Sequence, residues 1–188
     1  MFSLDRSLFF LFYNFGQRFG ADWLFIFFAT YLPILITLAF LFLLFKKGGD
    51  IKRKIYFFGF TFLGIVISRG GLTEVIRYFF PRIRPFIELN LTPMLVDRAF
   101  SFPSGHTTFL FIIAFSAFLI DKKWGWILSL TSLLAVLSRV VAGVHWPSDI
   151  VGGIIIAGTV FVVMYYWVLP PKKIILAEDK QEILLPNA

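Results

Sequence analysis

The run WLFIFFATYLPILITLAFLFLLF, from Trp23 to Phe45, contains 23 residues without one aspartate, glutamate, lysine or arginine. An α-helix of about 20 apolar residues crosses the hydrocarbon core of a bilayer, so this stretch predicts a membrane-spanning helix. Pro33 lies inside it and should kink the helix rather than end it, because neighbouring helices in a bilayer satisfy the backbone groups that a proline frees. The segment places the chain in a membrane.

The composition agrees with a membrane protein. Of 188 residues, 59% are hydrophobic, 20% aromatic and 15% charged, and the mean hydropathy is +0.84. These values exclude a soluble globule and a disordered chain, which needs low hydrophobicity and high charge. The absence of cysteine excludes disulfides, thiolate metal sites and a cysteine nucleophile, but does not fix the compartment. We expect one compact membrane domain over residues 1–188.

Four more segments have the length and polarity of spans, and we therefore predict an all-α integral membrane bundle of five spans within residues 21–170. No fixed-period repeat supports a solenoid. The four segments are Ile55–Phe80, ended by Pro81; Ala99–Ile120, with its helix starting near Pro103 or Ser104; Trp124–Ala142, closed by Gly143; and Ile150–Leu169.

The first 20 residues have a different pattern. Leucines and phenylalanines recur at helical spacing from Leu4 to Phe19, with charged and polar side chains on the other faces. This amphipathic pattern predicts an interfacial helix, and a short sixth span is the alternative. A cleaved signal peptide is less favoured, because the apolar stretch Leu8–Tyr13 is shorter than a signal-peptide core. The charged tail, residues 171–188, is expected on the cytoplasmic side and has no assigned function.

The lysines indicate the orientation of the bundle, because basic residues near span ends are retained on the cytoplasmic side. Five spans place all nine lysines on one face, which we assign as cytoplasmic. Most arginines lie at the opposite face, which would be periplasmic or extracellular. Tryptophans near the predicted span ends are interpreted as interface anchors. The lysines are Lys46, Lys47, Lys52, Lys54, Lys122, Lys123, Lys172, Lys173 and Lys180, and the tryptophans are Trp23, Trp124, Trp146 and Trp167.

Three polar clusters fall at the non-cytoplasmic span ends: Arg77–Pro85, Pro103–His106 and Ser138–Asp149. They contain both histidines of the chain, His106 and His145. A histidine can act as a nucleophile or a general acid near neutral pH, and guanidinium groups bind phosphate oxygens two at a time. The combination indicates phosphoryl chemistry without a metal or another cofactor.

Local geometry strengthens this interpretation. Pro103-Ser104 and Pro147-Ser148 stand where helices should begin, so two helix N-termini would face the site. Free N–H groups at Ser104, Gly105 and His106 would form an anion cradle, and Gly105 would let an oxygen approach closely. Asp149 lies four residues after His145 and could accept the ring N–H that faces away from the substrate.

These residues resemble a known family. Arg77-x6-Arg84-Pro85, Pro103-Ser104-Gly105-His106 and Ser138-Arg139-x5-His145-x3-Asp149 are similar, in order, to the three-part signature of the type-2 phosphatidic acid phosphatase superfamily. One position departs, since the family usually has lysine where this chain has Arg77, and arginine differs in reach and fork geometry.

The resemblance implies a role for each matching residue. His145 would be the nucleophile that forms a phosphohistidine, Asp149 would orient it, and His106 would protonate the leaving oxygen. A group of residues would hold the phosphate without a metal. That group is Arg77, Arg84, Ser104, Gly105 and Arg139.

The function that follows is hydrolysis of a lipid phosphate, because a water-soluble ester would not require a catalyst that is mostly bilayer. The size of the chain and the run Arg84-Pro85-Phe86 resemble small bacterial undecaprenyl diphosphate phosphatases involved in cell wall biogenesis. Phosphatidylglycerophosphate, phosphatidic acid and lipid A phosphates stay open as substrates, and so does transfer to a lipid acceptor. A non-catalytic lipid-binding protein is a distant alternative, and a soluble haloperoxidase is disfavoured by composition. We expect a lipid partner and no nucleic-acid partner, and the sequence assigns no oligomeric state.

Several residues keep two interpretations. Arg69, Arg82 and Arg98 either snorkel to headgroups or belong to the site. Glu74 is favoured as a structural partner of Arg77, three residues further along the same helix. The apolar segment 86–100 either dips into the membrane interface and lines lipid entry or packs over the helix ends.

Overall fold

A computed structural model of the protein describes residues 3–97 and 99–168, and every regular element in this part of the chain is helical. Arg98 and the predicted tail, residues 171–188, lie outside the described residues. A π-helical segment, Val66–Leu72, joins α4 to α5. The α-helices are α1 (Ser3–Phe19), α2 (Asp22–Thr30), α3 (Leu32–Lys47), α4 (Ile51–Ile65), α5 (Thr73–Phe79), α6 (Pro85–Glu88), α7 (Gly105–Phe118), α8 (Lys122–Val141) and α9 (Pro147–Trp167).

Among the described helices, three are long and apolar enough to span a membrane: Ile51–Phe79, Lys122–Val141 and Pro147–Trp167. The pair α2 and α3, bent by 40°, would make a fourth. α7 is apolar but has only 14 residues, and α1 is not among the candidates. The structure therefore has three or four candidate spans, while five spans and an interfacial α1 stay predictions.

The bend between α2 and α3 lies at the predicted kink. α2 ends at Thr30 and α3 begins at Leu32, with Pro33 in its first turn. A proline is tolerated there because the first N–H groups of a helix have no partner within that helix. The chain thus changes direction without losing a helical hydrogen bond.

The core of the bundle is α7, which packs against α3, α4, α8 and α9. Beyond its first turn, its side chains are mostly apolar on every face, as expected of a helix that packs against several neighbours, and Leu110 and Ala114 are fully buried. Outward-facing residues of the other helices, such as Phe42, Leu130 and Ile155, are exposed and apolar. Such a surface suits contact with lipid.

The contacts at the two ends of the bundle involve different parts of the chain. Lys47, the last residue of α3, forms an ion pair with Asp121, the N-cap of α8, so two of the lysine-bearing connections lie at one end. At the other end, Arg77 of α5 donates to the carbonyl of Pro103 just before α7. The backbone of Ser104 bonds that of Asp149 in α9. Both histidines lie at this second end.

Candidate active site

His145 lies in the short connection between α8 and α9. α8 ends at Val141. Gly143, two residues later, has a φ of 84°, a left-handed conformation that favours glycine, and α9 begins with Pro147 in its first turn. The His145 side chain is 1% exposed. Its Nδ1 lies 3.2 Å from Oδ2 of Asp149, and its Nε2 lies 3.4 Å from Nη1 of Arg84. The ring is held on one edge by a carboxylate and presents the other edge to a cation.

The protonation state of His145 follows from its surroundings. Burial lowers the pKa of His145 to about 4, against the opposing effect of Asp149, because a charged imidazolium is poorly solvated there. The ring is therefore neutral at pH 7. With Nδ1–H donating to Asp149, Nε2 keeps a lone pair on the edge of the ring that faces Arg84.

Asp149 is fully buried and has four hydrogen-bonding partners. Besides His145, its Oδ2 accepts from the Trp146 backbone N–H at 2.8 Å and from the Ser101 hydroxyl. Its Oδ1 accepts from Nη1 of Arg82 at 2.8 Å. A buried carboxylate is costly unless its oxygens are satisfied, and this one is held in a fixed position.

Arg82 therefore points into the protein instead of snorkelling to headgroups. It also bonds the hydroxyl of Ser148 at 2.6 Å, pairs with Asp5 of α1 and lies 5.2 Å from the ring centroid of Trp146. Trp146 is itself fully buried and donates from its indole to the Ile83 carbonyl. The interpretation of Trp146 as an interface anchor was wrong, because the buried ring supports Arg82.

Arg84 and Arg139 converge on one carboxylate, that of Asp97. Nη2 of Arg84 is 2.9 Å and Nη2 of Arg139 is 3.2 Å from Oδ2 of Asp97. Arg84 is further fixed by bonds from Nε to the Ala99 carbonyl and from Nη1 to the Val144 carbonyl, both 2.7 Å. The two guanidinium groups thus form a rigid anion site that Asp97 occupies in part.

Arg84 and Asp97 shift each other's pKa values. Burial lowers the pKa of Arg84, and Asp97 partly offsets this. Burial alone would raise the pKa of Asp97, but Arg84 and the hydrogen bond from the Ala99 N–H bring it below its ordinary value. Asp97 is therefore ionised at pH 7 and competes with any other anion for the two arginines.

Arg77 completes the cationic side of the site. Its Nη2 donates to the Pro103 carbonyl at 3.1 Å, and its Nη1 pairs with Glu74 at 3.2 Å, the structural contact favoured for Glu74. The Nε atoms of Arg77 and Arg139 are buried and have no hydrogen-bond acceptor within the described part of the chain. Buried donors without acceptors are rare, and a bound anion would satisfy them.

The anion cradle at the start of α7 differs from the prediction at one position. The Ser104 N–H is not free, because it donates to the Asp149 carbonyl at 3.1 Å, where α7 and α9 meet. The Ser104 hydroxyl caps α7 by accepting from the Thr107 N–H. The Gly105 and His106 N–H groups face no acceptor in residues 3–97 or 99–168. The cradle therefore offers two free N–H groups instead of three.

His106 is exposed and lines a groove of about 460 Å³ beside α3. Within the described residues, no hydrogen bond joins it to His145. Arg139 and His145 nevertheless lie within electrostatic range of its ring. His106 thus lines the groove and lies near Arg139, one of the arginines of the site.

With this geometry established, comparison with known proteins identifies the family. The sequence profile of the PAP2 superfamily matches residues 58–173, which include all three clusters. The chain belongs to the PAP2 superfamily.

Individual relatives agree with that assignment. The chain is 36% identical over 116 residues to an undecaprenyl-diphosphatase of Sulfolobus acidocaldarius, covering 60% of this chain and 53% of the relative. It is 30% identical over 134 residues to a lipid A 4'-phosphatase of Porphyromonas gingivalis, covering 67% of this chain and 56% of the relative. The chain spans about half the length of these curated relatives.

A solved structure shares the fold. The crystal structure of Aquifex aeolicus LpxE superposes with a TM-score of 0.70 at 27% identity, covering 88% of this chain and 97% of that one. The helical arrangement described above is therefore shared with this solved structure.

The structure adds to the site three residues that lie outside the family signature and that the sequence did not indicate. Asp97 and Ser101 lie in the irregular segment before α7, and Asp5 lies on α1. No local pattern marks them, because each meets its partner across a long sequence separation. The segment that contains Asp97 and Ser101 packs over the helix ends, with the Met94 N–H bonded to the Ala142 carbonyl.

Proposed function

We propose that this PAP2 protein is a lipid phosphate phosphatase that works through a phosphohistidine on His145. The observation that carries the proposal is the two-sided placement of this ring, with Nδ1 on Asp149 and Nε2 beside Arg84. A lipid-binding protein would need the arginines but would have no use for an oriented neutral imidazole.

In the first step, Nε2 of His145 attacks phosphorus, so that an N–P bond forms and the P–O bond to the lipid breaks. The leaving oxygen departs with the electron pair and takes a proton from His106. Arg77, Arg84 and Arg139 stabilise the phosphoryl oxygens as charge moves. Asp149 stabilises the positive charge that develops on the attacking ring.

In the second step, water attacks the phosphohistidine. His106, now unprotonated, takes a proton from the water, the N–P bond breaks, and inorganic phosphate leaves. The charge on the phosphoryl group is offset by guanidinium groups, so the proposed reaction does not need a metal.

We propose undecaprenyl diphosphate as the substrate, cleaved to the monophosphate and phosphate at the periplasmic or extracellular face of the cell membrane. Support comes from the apolar outer surface of the bundle, from the lysines at the end opposite the site, and from the Sulfolobus relative named undecaprenyl-diphosphatase. The Porphyromonas relative, named for lipid A, defines the main competing substrate.

The test is phosphate release by purified protein in detergent. The substrates are undecaprenyl diphosphate, phosphatidylglycerophosphate, phosphatidic acid and lipid A, each with and without EDTA and with a labelled phosphate. We expect undecaprenyl diphosphate to react fastest, with label in free phosphate and no effect of EDTA. No release from any of the four lipids would contradict a phosphatase, label transferred to lipid would indicate a phosphotransferase, and loss of activity in EDTA would contradict metal independence.

Asp97 provides a separate prediction, because its carboxylate must give way when a phosphate binds Arg84 and Arg139. The Asp97→Asn variant should bind inorganic phosphate about tenfold more tightly, since the charge-assisted contacts of Asp97 with Arg84 and Arg139 no longer have to be exchanged. The measurement is the inhibition constant of phosphate against lipid hydrolysis. Asp121→Asn, which removes an ion-paired aspartate at the opposite end, is the matched control. Equal or weaker inhibition of Asp97→Asn by phosphate would show that Asp97 does not compete for the site.

A further inference from the structure

Arg69 is an arginine outside the family signature that the π-helical segment carries to the edge of the site. In a π-helix, backbone bonds join residues five apart, and two side chains here make contacts at the same spacing. Arg69 pairs with Glu74, and the Thr73 hydroxyl bonds the Ser68 carbonyl. Glu74 also pairs with Arg77, so one carboxylate links Arg69 to a phosphate-site arginine.

The guanidinium of Arg69 lies directly over Gly105, next to His106. A Cβ atom added at Gly105 would be 2.4 Å from Nε and 2.8 Å from Cζ of Arg69. A side chain at position 105 would therefore displace the Arg69 guanidinium from this place. Because Gly105 has no side chain, the Arg69 guanidinium can lie close to the free N–H groups at the start of α7.

Arg69 and His106 also line the groove of about 460 Å³. The other lining residues include Thr30, Ile34 and Phe109, so the wall is mainly apolar away from the two charged or titratable groups. A volume of this size is typical of small-molecule sites. The groove thus pairs a cation and a proton donor with an apolar surface, which matches a phosphate joined to a hydrocarbon chain.

This inference rests on the proposed function. We propose that Arg69 binds the phosphate that stays on the lipid, so that the site selects lipid diphosphates over lipid monophosphates. Arg77, Arg84 and Arg139 hold the terminal phosphate beside His145, and Arg69 holds the inner phosphate at the groove.

The chemistry of a diphosphate fits this division. Nε2 of His145 attacks the terminal phosphorus, the bond from that phosphorus to the bridging oxygen breaks, and the bridging oxygen leaves with the electron pair as part of the lipid phosphate. The leaving group is then an anion that gains charge, which a guanidinium stabilises. A monophosphate ester has only an alkoxide to expel and depends on the proton from His106. Arg69 therefore contributes to one reaction much more than to the other.

The experiment compares farnesyl diphosphate with farnesyl phosphate as substrates in detergent. For Arg69→Gln we expect the ratio of kcat/KM for diphosphate to that for monophosphate to fall by about tenfold or more, the loss expected for one charge-assisted contact. The ratio for Arg69→Lys should lie between those of wild type and Arg69→Gln, because lysine keeps the positive charge but lacks the forked guanidinium. Arg18→Gln, an exposed arginine at the end of α1, is the control and should keep the wild-type ratio.

Product inhibition separates binding from a structural role. Farnesyl phosphate as a product should inhibit Arg69→Gln about tenfold more weakly than wild type, whereas inorganic phosphate, held by the other arginines, should inhibit both within about twofold. An unchanged substrate ratio, or equal loss on both substrates and both inhibitors, would overturn the role of Arg69. Failure of the wild-type protein to hydrolyse either lipid would instead refute the proposed function.

Discussion

Replacing His145 with glutamine should lower kcat for lipid phosphate hydrolysis by about 10⁴-fold or more, because glutamine cannot form the N–P bond on which both steps depend. Glutamine is a suitable replacement, since burial lowers the pKa of His145 to about 4 and the native ring is neutral at pH 7. The substitution thus changes the nucleophile without changing the charge of the pocket.

Two measurements show whether the loss is chemical. Phosphate binding to His145→Gln should stay close to that of wild type, because the three arginines are unchanged, and the midpoint of thermal unfolding should fall only slightly. Activity of the variant within about tenfold of wild type would contradict a nucleophilic His145, since losing a covalent nucleophile costs far more.

The second large effect is expected for Asp149→Asn, with kcat lowered by about 10³-fold. Oδ2 of Asp149 accepts from His145, Ser101 and the Trp146 N–H, while Oδ1 accepts from Arg82. An amide has one NH₂, which must face either the first three donors or Arg82. If the NH₂ faces His145, the ring takes the wrong tautomer. If it faces Arg82, that arginine loses its acceptor. The negative charge of the carboxylate is lost in both orientations.

Arg82→Gln is the comparison variant for Asp149→Asn. It removes one support of the carboxylate and the pair with Asp5, but leaves the contact between Asp149 and His145. Its kcat should fall by about tenfold, with KM nearly unchanged, because a positioning residue acts on the chemical step through another group. If Arg82→Gln lost as much activity as Asp149→Asn, the carboxylate would not be the group that acts on His145.

Much of the helical framework could be predicted from the sequence, because uncharged runs and helix-ending residues are local signals. α8 ends shortly before Gly143 and Pro147 opens α9, as the sequence indicates. The π-helical segment could not be predicted, since its spacing of five residues appears in no α-helical pattern and depends on contacts with α7 and α9. The start of α7 at Gly105 agrees with the predicted start near Pro103 or Ser104, although the whole apolar run Ala99–Ile120 is long enough for a span.

For the candidate site, the spacing of His145 and Asp149 was enough to predict their contact, since four residues across a helix start bring two side chains together. The predicted order of spans was enough to place Arg77, Arg84 and Arg139 at the same end of the bundle. The Ser104 N–H could not be placed correctly, because its partner is a carbonyl of α9. Asp97, Ser101 and Asp5 were missed for the same physical reason, since their partners are far apart in sequence and only packing brings them together.

The most direct test of the central claim is to trap the phosphorylated protein. A rapid quench of His106→Gln with a lipid diphosphate labelled in its terminal phosphate should accumulate the intermediate. The lipid phosphate can leave as an anion without a proton from His106, whereas water activation then lacks its base. We predict label that is stable in alkali, lost in acid and located on the peptide that contains His145. Label on any other residue, or equal labelling of a variant that also carries His145→Gln, would contradict a phosphohistidine at this position.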